Sequence, residues 1–567
     1  MSFSLRIALF VAMLALCVAP AAAGATSTSA AAHKAGSGKA KYGKGHGHKK
    51  GHGHSSSDAD RTSRELRKEI SSRRMLTHLR AFQQIADDTG GHRASGFEGY
   101  GASVQYVLTQ LRAAGYTPRT QVFDFVTFQE IANPVLRQVA PAPGKEYTQD
   151  EFLTMNYSAS GDTGVQPIVP VDLTLSPDPA QRVSTSGCEA GDFAGFPADA
   201  IALMQRGSCP FAQKATNAQA AGAAGAIIFN SGTPGNEGVV AGTLGETAQD
   251  GQPAPPDVTI PVVGISYAEG DRLANQVDPT GQIIVTAESD RRTSANILAD
   301  TRSGDPDNVT IMGAHLDSVP EGPGINDNGS GSAFLLETAI RMAKERIRTE
   351  NRVRFAWWGA EESGLVGATR YVAAISEPEF AQIAANLNFD MLASPNHAKF
   401  VYDGDFSDTT PPATAPVVNP GAAYIERKFV RYFDSQRMAT EPTAFDGRSD
   451  YKPFQDNGIA AGGLFSGAEV AKSPAQVLKW GGTAGLAFDP NYHQAGDDID
   501  NLDLDGYEDL ADGGAHVLAV LAEDRNLRES LAGGASAASV KKARKARRMS
   551  KARMAKLGAY SGDLLIR

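Results

Sequence analysis

The sequence predicts an α/β fold interrupted by an inserted second domain, and three observations carry that reading. The 567 residues exceed what one hydrophobic core needs, so two or more domains are expected. Short apolar runs, VTIMGAHLD from Val309, RVRFAWW from Arg352 and NLNFDMLAS from Asn386, read as buried strands, while SAFLLETAIRMAKER from Ser332 repeats its apolar positions at helical spacing. Between about residues 151 and 285 the texture changes to small residues, Pro and Gly, and the α/β pattern resumes at Ser294–Ile297.

Taken in order, residues 1–24 carry a single basic residue, Arg6, an apolar run IALFVAMLALCVA, and small residues Ala21, Ala22 and Ala23 before Gly24. This is the pattern of a secretory signal peptide, and the run is short for a bilayer span; an N-terminal anchor is the alternative. Residues 25–61 form a segment rich in His, Gly and Lys. Its HKAGSGKAKYGKGHGHKKGHGH holds six Lys and five His without an acid, too little apolar surface for a core, so disorder is expected. A solvated spacer is the simplest role, with metal capture by the histidines as the alternative. Residues 62–150 start the principal domain: MLTHLRAFQQIAD and VQYVLTQLRAAG are helical, the second ending at Gly115, and RTQVFDFVTF is a strand. Residues 151–285 are the insert and 286–530 complete the principal domain. Residues 531–567 form a basic tail, with nine basic residues and no acid between Lys541 and Lys556.

The tails distort the whole-chain charge of −10: residues 1–59 carry about +6 and 541–567 about +9, which leaves about −25 on the body between them. An acidic body argues against nucleic acid as a partner. The basic tail is read as a solvated extension, with binding to polyanions or to the acidic body as the alternative. No later stretch reaches the roughly 18 uninterrupted apolar residues of a spanning helix, so no membrane span is expected. Of three cysteines, Cys17 lies in the signal, leaving Cys188 and Cys209 to form one disulfide in an oxidising compartment. Closing a loop of that length stabilises by roughly 3 kcal/mol. Asn156 and Asn308 head glycosylation sequons, whereas the sequon at Asn328 is expected to be buried.

The chemistry-bearing residues cluster where apolar strands end. His315 and Asp317 follow the run from Val309, at the carboxyl edge of the sheet where open α/β folds place their sites. Asp317 is positioned to accept the imidazole N–H of His315 that faces away from a metal. Asp327 sits in the glycine-framed GINDNGSG at a helix start, where an N-cap role is the bland alternative. Glu361 and Glu362 share the turn after FAWWG; adjacent carboxylates there can point to different places, one to a metal and one to a proton. Asp390 is a charge in an apolar strand and so requires a partner. Tyr492 and His493 lie in a loop rich in Pro and Asp. Two imidazoles and three carboxylates, His315, Asp327, Glu362, Asp390 and His493, make a donor set that suits a pair of Zn²⁺ ions.

With GAHLDS, GINDNGSGSAFLLETA, FAWWGAEESGLVGATRYV, LNFDML, FDGRSDYKPFQDNGIAAGGLF and YHQAGDD in this order, residues 294–527 resemble the di-zinc aminopeptidase family. That family comprises secreted bacterial and vacuolar fungal leucine aminopeptidases related to glutamate carboxypeptidase and the transferrin receptor. Cys209–Asn230, CPFAQKATNAQAAGAAGAIIFN, resembles the protease-associated domain, a small β-rich module inserted in secreted peptidases. The resemblance implies a three-layer α/β/α fold with a mixed central sheet. It implies that His315 and Asp390 hold one zinc, Glu362 and His493 the other, and that Asp327 bridges them. Glu361 would be the general base and Tyr492 an oxyanion donor. The substrate α-amine would meet Glu361, Asp390 and the backbone carbonyl of Arg448, and Phe465 would line the pocket for the first side chain. A non-proline cis peptide after Asp327 is also implied. One departure is that Asn491 and Gly496 stand where the bacterial relatives carry cysteines bracketing the Tyr-His loop.

The expected function is therefore a secreted, monomeric metallo-aminopeptidase acting on free peptide or protein N-termini, with large apolar first residues preferred; a vacuolar or lysosomal lumen is the alternative location. The rival readings are a glutamate-releasing carboxypeptidase, for which Arg448 is the one nearby cation, a non-catalytic peptide-binding protein on the same fold, and a one-metal glutaminyl cyclase.

Overall fold

The computed structural model describes residues 54–233, 236–240, 242–244, 258–411, 419–533 and 565–566. The expected signal peptide and nearly all of the His-rich and basic tails lie outside the described residues. The last residues of the segment expected to be disordered are helical, because the first helix spans His54–Glu69 and buries Thr62, Ser63 and Leu66, with Thr62 donating to Glu523.

The principal domain is built on a mixed nine-stranded sheet. Its centre holds four parallel strands in the order Ala460–Phe465, Ile383–Phe389, Asp305–His315, Asn351–Trp358. Arg291–Asp300 and Arg119–Val126 continue it antiparallel, and Leu565–Ile566 pairs on that edge. At the other edge lie Phe400–Tyr402 and Glu441–Thr443. The central strands are buried on both faces, which explains their unbroken apolar runs. Helices Ser72–Asp88, Glu98–Ala113, Gly331–Lys344 and Leu504–Glu523 share the largest apolar core with one face of the sheet. A smaller core, with Trp358, Tyr371 and Phe454, lies under Val366–Ala374 and Lys452–Asp456 on the other. This is the three-layer α/β/α arrangement.

The insert forms a second sheet with its own cores. Gln166–Pro170, Ile201–Gln205, Gly225–Phe229 and Val262–Ile265 run parallel, with the Cys188–Cys209 disulfide beside them. The second sheet reaches back to Gln129–Ala140, which pairs with Thr280–Glu288, so it begins before residue 151 and ends after 285. The physical reason is local: the first five residues of Gln129–Ala140 are exposed and carry no strong apolar pattern. The insert leaves and re-enters between two paired strands, Val126 lying opposite Arg291.

Candidate active site

Four of the expected residues sit at carboxyl ends of the central strands. His315 ends its strand, Asp390 follows Phe389 directly, and Glu361 and Glu362 lie in the turn after Trp358. Asp390 is thus past the strand rather than inside it. Asp327 lies in the irregular turn Ile325–Ser330 that precedes the helix Gly331–Lys344, and its peptide bond to Asn328 is cis. His493 comes from the remote loop after Asp489, with a left-handed φ of 56°.

These residues converge on two triangles that share Asp327. His315 Nε2 stands 3.2 Å from Asp390 Oδ1 and 3.2 Å from Asp327 Oδ1. His493 Nε2 stands 3.2 Å from Asp327 Oδ2 and 3.2 Å from Glu362 Oε2. A single imidazole N–H cannot donate well to two carboxylates at once. Donors bound at about 2.0–2.1 Å to a tetrahedral ion are separated by roughly 3.3 Å, so both triangles match the edges of such a shell. Glu361 lies off both, its Oε2 4.0 Å from His315 Nε2. Glu362 Oε1 is buried without a protein partner among the described residues. The donors present therefore fit zinc by type, spacing and unsatisfied capacity.

The electrostatics agree. Burial together with Asp327 pushes Glu362 up to about 7, and burial together with Asp450 and neighbouring carboxylates holds Glu361 well above the usual range against the pull of His315. Burial works against charging His493, but Glu362 and Asp327 overcome it and lift the imidazole to about 11. His315 is raised in the same way by Asp390 and Glu361 against its burial. Asp327 is lowered by both imidazoles despite burial. So many buried carboxylates facing two imidazoles call for cationic charge at this spot.

Asp317 faces the outer ring nitrogen of His315 with two acceptors, its carboxylate and its backbone carbonyl. Its backbone carbonyl faces His315 Nδ1 at 3.1 Å, whereas the carboxylate oxygen is 3.6 Å away and accepts from the Glu361 backbone N–H at 3.3 Å. The main chain reaches the ring first, and the carboxylate ties the glutamate turn to the same loop.

Tyr492 stacks on His493, ring centroids 3.8 Å apart, and its hydroxyl accepts from Arg448 Nη2 at 3.2 Å. Phe465 stacks against Phe400 and sits one residue beyond the Phe389–Leu464 strand pair. Asn491 and Gly496 hold their loop without cysteines. Asn491 Nδ2 donates to Asn501 at 2.7 Å, and a Cβ on Gly496 would come within 2.5 Å of Asn491 Oδ1, so glycine is what lets the amide close the loop.

Several supporting residues were given no role from the sequence, although Ser449, Asp450 and Asp497 lie within the motifs FDGRSDYKPFQDNGIAAGGLF and YHQAGDD. Arg93, fully buried, donates to the carbonyls of Leu316, Pro323 and Gly324, clamping the loop that joins His315 to Asp327. Asp497 accepts the backbone N–H groups of Asn326 and Asp327 at 2.8 and 2.9 Å. Ser449 donates to Asp390 Oδ2, and Asp450 is buried with neither oxygen hydrogen-bonded among the described residues. Burial, opposed by His315 and reinforced by Asp390, holds the Asp450 carboxyl well above its ordinary range. Elsewhere, Asp403, Asp405 and Glu426 come together, but Asp403 already accepts from the Ser407, Asp408 and Thr409 amides.

Comparison with known proteins identifies the family. Residues 296–518 match the model of peptidase family M28, and residues 167–273 that of the PA domain. An aminopeptidase of Pseudomonas aeruginosa is 45% identical, covering 79% of this chain and 80% of that protein. Leucine aminopeptidase 2 of Trichophyton rubrum is 37% identical over 78% of this chain and 82% of its own length. Among solved structures, the aminopeptidase from Aneurinibacillus sp. strain AM-1 superposes with a TM-score of 0.60 at 25% identity, covering 80% of this chain and 95% of that one. The chain belongs to peptidase family M28 and carries a PA domain inserted in its peptidase fold.

Proposed function

We propose that this zinc-dependent aminopeptidase binds two zinc ions per chain and cleaves the peptide bond after a free N-terminal residue, with large apolar residues preferred. The observation that carries the reading is the pair of imidazole–carboxylate triangles meeting at Asp327. His315 and Asp390 would hold one ion, Glu362 and His493 the other, and Asp327 both. Bound zinc supplies Lewis-acid polarisation of the scissile carbonyl and makes water a nucleophile near neutral pH.

The remaining work falls to side chains. Glu361, buried and outside both triangles, takes the proton of the attacking water and delivers it to the departing amine. Tyr492 donates its phenolic proton to the developing oxyanion. Glu361, Asp390 and the Arg448 carbonyl receive the substrate α-amine, and Phe465 lies against the first side chain; the leucine aminopeptidase relative supports that preference. Asp317 positions the Glu361 turn through the hydrogen bond to its backbone.

Arg448, the cation a carboxypeptidase reading requires, is engaged by Glu469 at 2.7 Å and by Tyr492, which disfavours that reading. Secretion is supported by the N-terminal leader pattern and the disulfide. No helix among the described residues is long and apolar enough to cross a membrane.

The test compares Leu-p-nitroanilide with its N-acetylated form, with and without chelator. Cleavage of the free amine alone, abolished by chelation and restored by zinc, is expected. Equal cleavage of the acetylated compound would sink the reading.

A further inference from the structure

We infer that Arg448 is a positioning residue for Tyr492: its guanidinium, tethered by Glu469, occupies the lone-pair side of the phenol and leaves the phenolic proton to point at the substrate. The inference rests on the reading of Tyr492 as the oxyanion donor.

The chemistry of the contact fixes its direction. A guanidinium has only donors, whereas a phenol has one proton and acceptor lone pairs, so the 3.2 Å contact runs from Arg448 Nη2 to Tyr492 Oη. The phenolic proton must then point elsewhere. The ring itself is fixed by its stack on His493, with planes 25° apart. What stays free is rotation about the C–O bond, and Arg448 removes it. Without that donor the hydroxyl can turn its proton toward the carboxylates that crowd this site rather than toward the substrate oxygen.

Arg448 is held from two sides. Its Nη1 meets Glu469 Oε1 at 2.7 Å, and its own backbone N–H donates to Asp446 Oδ1, which also receives the Tyr451 hydroxyl. The next residue, Ser449, donates to Asp390. One short loop therefore joins the orientation of Tyr492 to that of a proposed zinc ligand. The Arg448 and Glu469 side chains are about half exposed, at 55% and 49%. Such an ion pair contributes little to folding, which leaves a task at the site as the reason for its geometry.

The experiment is a double-mutant cycle in the zinc-loaded full chain with Arg448→Met, Tyr492→Phe and both, reading kcat and KM on Leu-p-nitroanilide. Zinc content and circular dichroism report on integrity. Tyr492→Phe is expected to lower kcat by about 100-fold and Arg448→Met by about 10-fold with KM nearly unchanged, while the double variant matches Tyr492→Phe alone. Arg448→Lys, which keeps one donor, should recover part of the loss. Binding of L-leucinephosphonic acid, a tetrahedral oxyanion mimic, should weaken in Arg448→Met and weaken no further when that change is added to Tyr492→Phe. If Arg448→Met costs the same factor in both backgrounds, or leaves kcat unchanged, the positioning role is wrong while the oxyanion reading survives. If Tyr492→Phe itself leaves kcat unchanged, both fall.

Discussion

Asp497→Asn offers the sharpest test of how Asp327, the carboxylate proposed to serve both zinc ions, is held. Asp497 is buried, at 2% exposure, and its two oxygens receive separate backbone N–H groups, Asn326 at 2.8 Å and Asp327 at 2.9 Å, while Ile325 N–H donates to its own carbonyl at 3.0 Å. Asparagine preserves shape but can accept from only one of the two amides; its NH₂ group faces the other, donor against donor. Leaving that buried backbone N–H unpaired costs about 1–3 kcal/mol. At roughly 1.4 kcal/mol per tenfold, that is about 5- to 150-fold in an equilibrium that requires Asp327 in place. The loss of about 10- to 100-fold that is typical when the outer support of a metal ligand is removed lies within that range. Zinc affinity should therefore fall by that factor for both ions, because Asp327 Oδ1 and Oδ2 serve different triangles. Competition titration against a chromophoric chelator measures it, and near-UV circular dichroism of the metal-free variant checks the fold. An intact variant whose zinc affinity stays within about twofold of the parent would refute the argument, as would selective loss of one ion.

Glu361→Gln should cut kcat by about 10²–10⁴-fold while zinc content by atomic absorption stays unchanged; loss of metal instead would mean that the roles of Glu361 and Glu362 are exchanged. Replacing Cys188 and Cys209 by serine opens a loop of 21 residues and should cost the insert about 3 kcal/mol, seen in urea unfolding, with zinc binding retained. Burial holds the His516 imidazole, hydrogen-bonded to Ser63, down to about 4 from 6.5. Its contribution is thus complete above about pH 6.5 and is lost as pH falls toward 4, reaching about 2 kcal/mol by pH 5. His516→Asn should remove that component from the pH dependence of the urea midpoint; an identical pH profile in parent and variant would count against it.

Much of the site was legible because its residues interrupt strong patterns. His315 and Asp390 follow apolar runs that otherwise read as buried strands, and Asp327 sits among glycines before a periodic helix, so a charge at each point stands out. Asp497, Ser449 and Asp450 lie in motifs that stand out, but no role could be read for them, and Arg93 was not legible at all. Arg93 lies in the polar segment between two helices, and its acceptors at Leu316, Pro323 and Gly324 are more than 220 residues distant, a pairing that only the folded chain creates. Asp317 shows a subtler limit. Its place two residues after His315 was informative, but a two-residue step lets either its carbonyl or its carboxylate reach the ring, and only the local backbone decides. The pairing of Gln129–Ala140 with the insert's sheet was hidden for the opposite reason, since that strand has five exposed residues before its first buried one.

The position of the insert bears on the site it interrupts. Its two connections leave from strands paired residue by residue up to Val126 and Arg291, so they are held a strand spacing apart, and Thr127 N–H adds a further bond to Asp290 at 2.8 Å. Two adjacent connections alone would leave the module free to swing about the line joining them. Tyr157, within the insert, supplies a contact away from that line: its ring packs against Phe128, its hydroxyl donates to Val126 O at 2.9 Å and lies 3.5 Å from Ser363 O. Ser363 directly follows Glu362 in the glutamate turn, whose other end is held by Asp317. The turn that carries both glutamates is therefore supported from the sheet by Asp317 and abutted from outside by the insert. The insert thus bears on the placement of the group proposed to move the proton.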